Sequence, residues 1–285
     1  MRRLWAAGPA IVLCLVLTGA PALAQSGNAG AANEWPFMRT SCPGAAGEPM
    51  RLVALGTSET AGWGVRADEA YSPQEAYPAR YADILCEELG RPVELHSYFP
   101  DQLSNSLAPL AWWNERLSGD AAMRVDLAAA DVVVVWALSV HDALPALVFG
   151  QCRGEWPDPL RACLEAATAD IESQMDAAFS TVAALAPGTA TILAADHFTP
   201  PAILDAWGAE PYFDELSQLA NPRFVIERLA PQYGFTIVET QTAFNGPSLS
   251  EPPADGLLQI DGIHPTALGA QLMAEVLAQE DCLGE

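Results

Sequence analysis

The sequence predicts an α/β protein: a parallel sheet with helices on both faces. Three observations carry that expectation. Short apolar runs alternate along the chain with longer segments of helical period. The run at 131–138, Asp-Val-Val-Val-Val-Trp-Ala-Leu, is apolar without alternation, as a central strand buried on both faces must be. Helix punctuation recurs between the runs, with Pro near the start and Gly after the end.

Each element follows from such signals. Residues 50–55 make a short apolar strand that stops at Gly56. A helix is expected at 78–89, opened by Pro78 and closed by Gly90, with Tyr81, Ile84, Leu85 and Leu89 on one face. Residues 93–97 form the second strand, 106–117 a helix and 131–138 the third strand. A long helix at 160–185 ends at Pro187-Gly188. Strands follow at 191–195 and 235–239. Between them, Asn221 caps a helix whose first position is Pro222, and Gly234 closes it. An amphipathic helix at 265–278 is the last element. The count is five parallel strands.

The chain has 285 residues, 51% hydrophobic, enough for one sizeable core without a second domain. Its 13 basic residues, all Arg, face 36 acidic ones, for a formal net charge of -23. That charge repels phosphate backbones and excludes nucleic acid as a partner. Residues 1–24 read as a signal peptide: Arg2 and Arg3, a short apolar stretch at 11–17, and Ala22-Leu23-Ala24 before Gln25. The apolar stretch is too short to span a bilayer, so an exported protein without stable membrane insertion is expected. Residues 25–48 read as a flexible leader and 49–285 as the catalytic domain. In an oxidising compartment the cysteines are expected to pair as Cys152–Cys163 and Cys42–Cys282, leaving Cys86 a buried free thiol. No CxxC or HxxxH occurs, so neither metal nor cofactor is expected.

In sheets of this kind the site lies beyond the carboxyl ends of the strands. After the first strand comes Gly56-Thr57-Ser58-Glu59-Thr60-Ala61-Gly62-Trp63-Gly64, where flanking glycines permit a tight turn that lifts a hydroxyl out of the sheet. Just before the last helix comes Asp261-Gly262-Ile263-His264-Pro265. A serine hydroxyl needs a base to take its proton, and an imidazole suits that task. An Asp one turn earlier can orient the ring and stabilise its protonated form.

On these residues the chain resembles the SGNH hydrolases, the GDSL-like lipases and esterases, from about residue 50 to 277. Gly56-Thr57-Ser58 with Gly62 is similar to Gly-Asp-Ser. Ser139-Val140-His141-Asp142 is similar to Gly-x-Asn-Asp. Asp261-x-x-His264-Pro265 matches fully, and Phe244-Asn245-Gly246 resembles a segment of exported members. The resemblance implies a flavodoxin-like three-layer sandwich with a five-stranded parallel sheet. It also implies Ser58 as nucleophile, His264 as general base and Asp261 as its partner. The pattern is unlike the α/β-hydrolases, whose serine lies mid-chain in Gly-x-Ser-x-Gly.

Three positions depart from the family pattern. Thr57 stands where the family has Asp, Asp101 where it has the second oxyanion-hole Gly, and His141 where it has Asn. The resemblance then implies an oxyanion hole from the amides of Ser58 and Asp101 and a ring nitrogen of His141. Loss of one such donor costs about a hundred- to a thousandfold in rate, so a slow esterase or a rearranged hole is expected. Trp63 and His197 are expected to line the substrate cleft. His96 reads as a core or rim histidine, and Trp112 and Trp113 as packing residues. The expected substrate is a lipid, acetylated-glycan or short-chain acyl ester. The alternative is a carbohydrate- or lipid-binding module that kept the fold and lost activity.

Overall fold

The computed structural model describes residues 38–65, 71–99, 110–136, 160–198, 222–249 and 251–281, all within one unit that runs from Trp35 to Glu285. Its sheet has six strands: β1 (Met38–Thr40), β2 (Met50–Leu55), β3 (Val93–Tyr98), β4 (Val132–Trp136), β5 (Thr191–Ala195) and β6 (Thr236–Val238), in the order β1-β3-β2-β4-β5-β6. The last five are mutually parallel, and their order is the doubly wound 2-1-3-4-5 pattern of flavodoxin-like folds.

The strand missing from the sequence reading is β1, which pairs antiparallel with β3 from inside the stretch expected to be a loose leader. Three residues carry too short a pattern to announce a strand. That pairing also overturns two cysteine expectations. Cys42 is bonded to Cys86, with Cα atoms 5.9 Å apart, so Cys86 is not a free thiol and Cys42 does not staple the two ends. The reason is topological: β1 lies beside β3, and the chain after it passes the helix that carries Cys86. Cys163 is also disulfide-bonded. Cys152 and Cys282 lie outside the described residues.

Between the strands lie α1 (Tyr77–Leu89), α2 (Leu110–Gly119), α3 (Ala121–Ala128), α4 (Leu160–Leu185) and α5 (Pro222–Leu229), and after β6 come α6 (Thr240–Asn245) and α7 (Ala267–Glu280). The central strands β2 and β4 are buried on both faces, and the pleat divides their side chains between two cores. Leu52 and Ala54 of β2 join Val132, Val134 and Trp136 of β4 against α1 and α7. Val53 and Leu55 join Val133 and Val135 against α2, α3, α4 and α5. Each fully buried Val or Leu contributes about 1.5–3 kcal/mol of transfer free energy, which is why β4 carries no polar residue.

Local features follow from the residues that make them. The Gly90 amide closes α1 on the Cys86 carbonyl with Gly90 at φ 60°, a left-handed cap that costs glycine nothing. Asp120 caps α3 by accepting from the amides of Ala122 and Met123. Trp113 is buried, and Trp112 packs beside it under the Arg116 guanidinium. His96 pairs with Asp126 at 2.7 Å, a structural contact on β3. Among the described residues no helix is long and apolar enough to cross a membrane.

Candidate active site

In the 2-1-3-4-5 order the switch point falls between β2 and β4, where neighbouring connections leave on opposite faces and open a crevice. The chain leaving β2 enters that crevice. It folds at once into a tight turn: the Thr60 amide donates to Thr57 O at 3.0 Å, and the Trp63 amide to Ser58 O at 2.9 Å. Two glycines make the turn possible. A Cβ on Gly56 would stand 2.0 Å from the Thr60 hydroxyl oxygen. Gly62, at φ 70°, would put a Cβ 2.4 Å from the Ser72 carbonyl oxygen. Ser58 is thereby held half-buried at the edge of the sheet.

The second component comes from the segment before α7. The Gln259 amide donates to His264 O at 2.7 Å and the Gly262 amide to Gln259 O at 2.9 Å, closing a compact loop. Thr266 caps α7 by accepting from the Gly269 amide. Gly269 lies against this loop: a Cβ there would sit 2.2 Å from Leu257 O. The loop delivers His264 to Ser58, with Nε2 at 3.0 Å from the serine Oγ. On the other side of the ring, Nδ1 lies 2.8 Å from Asp261 Oδ2. Asp261 Oδ1 accepts the amides of Ile263 and His264 at 2.9 and 3.0 Å.

Electrostatics follow from those contacts. Partial burial works against the Asp261 charge. The hydrogen bonds from the His264 ring and from the two amides outweigh it and pull the carboxyl down to about 2. A carboxylate held ionised accepts from Nδ1–H, which leaves Nε2 with a lone pair facing Ser58. The hydroxyl can then give its proton to the ring, and the resulting imidazolium lies against a negative partner. The three side chains predicted from the two ends of the chain therefore meet in one series of hydrogen bonds.

Other expected positions fall differently. Trp63 is half-buried, its ring 5.9 Å from that of His264 and edge-on to Tyr71 at 5.0 Å, so it lies beside the imidazole. His197 is not on an open cleft wall. Its side chain is 3% exposed and its Nε2 lies 3.0 Å from Glu59 Oε1, beneath Ser58. Asp101 and His141 lie outside the described residues, so the proposed oxyanion donors other than the Ser58 amide are not placed.

Two residues escaped the sequence reading. Gln259 donates its amide to the carbonyls of Gly64 and, at 3.2 Å, Pro265, tying the serine loop to the histidine loop. Glu59 is buried, and its Oε2 accepts from the Thr57 hydroxyl and lies 3.3 Å from Ser58 Oγ. The sequence signal for Glu59 is a carboxylate next to the candidate nucleophile, the one charged residue between Gly56 and Gly64.

A hydroxyl, an imidazole and a carboxylate in series at the carboxyl edge of a doubly wound sheet define the class of site used for acyl transfer. The sequence matches the GDSL-like lipase/acylhydrolase family over residues 54–272, and the chain belongs to that family. Membership makes it a carboxylic ester hydrolase with lipolytic or esterase function. Among solved structures it is similar to the lipase Lip_vut3 from a goat rumen metagenome. The TM-score is 0.60 at 18% identity, covering 81% of this chain and 96% of that one. It is also similar to an extracellular lipase from Streptomyces rimosus, with a TM-score of 0.49 at 18% identity, over 81% of this chain and 99% of that one. No curated protein is similar enough to match.

Proposed function

We propose that this chain is an exported serine esterase that works through an acyl-enzyme on Ser58. The observation that carries the reading is the hydrogen-bond series from Ser58 through His264 to Asp261. Ser58 Oγ attacks the ester carbonyl while His264 Nε2 accepts its proton, and Asp261 stabilises the imidazolium. The tetrahedral oxyanion is received by the Ser58 amide, with the Asp101 amide and a His141 ring nitrogen as the further proposed donors. His264 then protonates the leaving alcohol. In the second half, water gives a proton to His264 and attacks the acyl carbonyl; the carbon–Oγ bond then breaks, His264 returns the proton to Ser58 Oγ, and the acid leaves. Trp63, beside the imidazole, walls the substrate cleft, and its ring suits an acyl chain or a sugar face.

Export is supported by the Cys42–Cys86 bond and the disulfide-bonded Cys163, since such bonds persist in oxidising compartments. Residues 1–24 are proposed as the signal peptide that takes the chain there.

The direct test is Ser58→Ala assayed on a panel of short, long and sugar acyl esters, with a serine-directed phosphonate as a label. Hydrolysis of every ester and labelling should vanish while the melting temperature stays within a few degrees. Turnover that survives the substitution would remove Ser58 from the scheme, and the best ester of the panel names the substrate class.

A further inference from the structure

Among the described residues four large apolar side chains are exposed: Val125, Ile260, Ile263 and Leu268. Single exposed apolar residues are ordinary on a protein surface. Three of these four lie within the nine residues 260–268, which also contain Asp261 and His264. Ile260 is 108% exposed, Leu268 58% and Ile263 37%. A cluster of that kind is not scatter.

Local structure does not ask for these residues. The Gly262 amide donates to Gln259 O at 2.9 Å, so Ile260 and Asp261 are the two central residues of a turn. Such positions favour Pro, Asp, Asn or Ser, and a fully exposed isoleucine there gains nothing from packing. The loop is firmly held all the same. Leu258 bridges Pro265, the Gln259 amide donates to His264 O at 2.7 Å, and the Thr266 amide donates to Leu257 O at 2.9 Å. Leu257 joins Ala270 and Met273 in the core. A fixed base therefore presents the two isoleucines to the outside.

Shape, charge and position point to one partner. A side chain exposed in full projects from the surface, whereas the walls of a ligand pocket are concave and mostly covered. Residues 256–274 hold one acid, Asp261, and no Arg, in a chain with a net charge of -23. Asp261 has both oxygens engaged, by the His264 ring and by two backbone amides. The loop is thus an apolar spot on an acidic protein. It suits a surface without net charge, and the rest of the chain would repel an anionic one. A second copy would meet the same repulsion, and three side chains fall short of the about 800 Å² per partner that a stable dimer buries. Ile260 and Ile263 directly precede Asp261 and His264, so a surface that takes up the isoleucines is brought to the imidazole. The ester groups of an aggregated lipid lie at the boundary between headgroups and chains, where apolar side chains of a surface anchor come to rest.

We propose that Ile260 and Ile263, with Leu268 in the first turn of α7, form a convex apolar contact that docks the site on the surface of an aggregated lipid ester without net charge. The proposal names a substrate class for the serine-esterase reading and rests on it, but the docking can be measured without turnover.

The test uses Ser58→Ala, in the form that an exporting host releases, so that binding is read without hydrolysis. The protein should cosediment with phosphatidylcholine vesicles. Adding Ile260→Ser and Ile263→Ser should lower the partition coefficient at least about tenfold, the cost of withholding two apolar side chains from the lipid. Ile260→Ser alone, at a side chain exposed in full, covers the case in which the pair disturbs the loop, and should lower it about threefold. Vesicles containing about one-third phosphatidylglycerol should bind less well at low salt, and the gap should narrow as salt is added.

Failure to bind phosphatidylcholine vesicles, or a partition coefficient that the serine substitutions leave unchanged, overturns the proposal. Tighter binding to the anionic vesicles overturns it as well. So does a dimer in sedimentation velocity that the serine substitutions dissolve, because the patch would then belong to a second copy. Hydrolysis that survives Ser58→Ala overturns the esterase reading and leaves the vesicle result standing. Hydrolysis lost in Ser58→Ala without vesicle binding overturns the docking and leaves the esterase reading standing.

Discussion

Two acid–histidine pairs flank one serine, Asp261–His264 and Glu59–His197, and they lie in opposite surroundings. Asp261 is 41% exposed at its side chain and His264 16%; Glu59 and His197 are 0% and 3% exposed. The outer pair can carry charge. Hydrogen bonds from the His264 ring and two backbone amides hold the Asp261 carboxylate ionised. The inner pair is removed from water, with His197 Nε2 3.0 Å from Glu59 Oε1. Under the proposed mechanism a base needs the first kind of surroundings, where its charged form stays solvated and hydrogen-bonded.

The largest effect should come from breaking the outer pair. Asp261→Asn replaces the acceptor of Nδ1–H with an amide that can present its own N–H there, favouring the wrong tautomer. A loss of about a thousandfold or more in kcat is expected, with KM little altered, measured on the best ester of the panel. The same carboxylate sets a pH limit on the fold. Its folded value, about 2, lies below the ordinary Asp value of about 3.9. Its contribution to stability is therefore present in full above about pH 4 and is lost as pH falls through about 2. Melting curves between pH 5 and 2 should show this acid limb in the natural protein and a weaker one in Asp261→Asn.

A smaller effect should follow from loosening the frame around the outer pair. Gln259→Ala removes the tie between the serine and histidine loops while leaving the loop's backbone bonds in place. Turnover should fall by about tenfold and stability by about 1 kcal/mol, read by kinetics and melting. No change in kcat would mean that the backbone bonds alone hold the register of Ser58 and His264.

The smallest effect concerns the buried side. Asp196 is pushed up to about 6 by burial, against the Gln241 amide, Arg223 and His197. Its Oδ2 faces Arg223 Nη1 at 3.2 Å without a well-aligned hydrogen bond, so desolvation wins over pairing. The sign is opposite to that of Asp261. Stability from this group is present in full below about pH 4 and declines as pH rises through about 6. Asp196→Asn should flatten the melting temperature across that window. A window equally steep in the variant would assign the effect to another group.

The sequence carried the outer pair openly and the inner pair hardly at all. Asp261 and His264 are three residues apart in a loop, and Ser58 stands between glycines in a turn, so local pattern was enough to select them. Glu59 is adjacent to Ser58, but its partner His197 is 138 residues away, and nothing local says that a strand-end histidine turns inward. The disulfide shows the same limit. Cys42 and Cys86 are 44 residues apart and meet because β1 adds to β3, a pairing that three residues do not advertise.

The sequence by itself determined the alternation of strands and helices, the burial of β4 on both faces, and the glycine turn and Asp-x-x-His loop that end beside one another. These are properties of short segments, set by hydrophobic period, backbone freedom and capping. Only the tertiary structure decided which strand lies at the edge, which cysteine meets which, and that a second histidine is buried against Glu59. Those depend on contacts between distant segments and on how far each group is removed from water, quantities that no local pattern of residues contains.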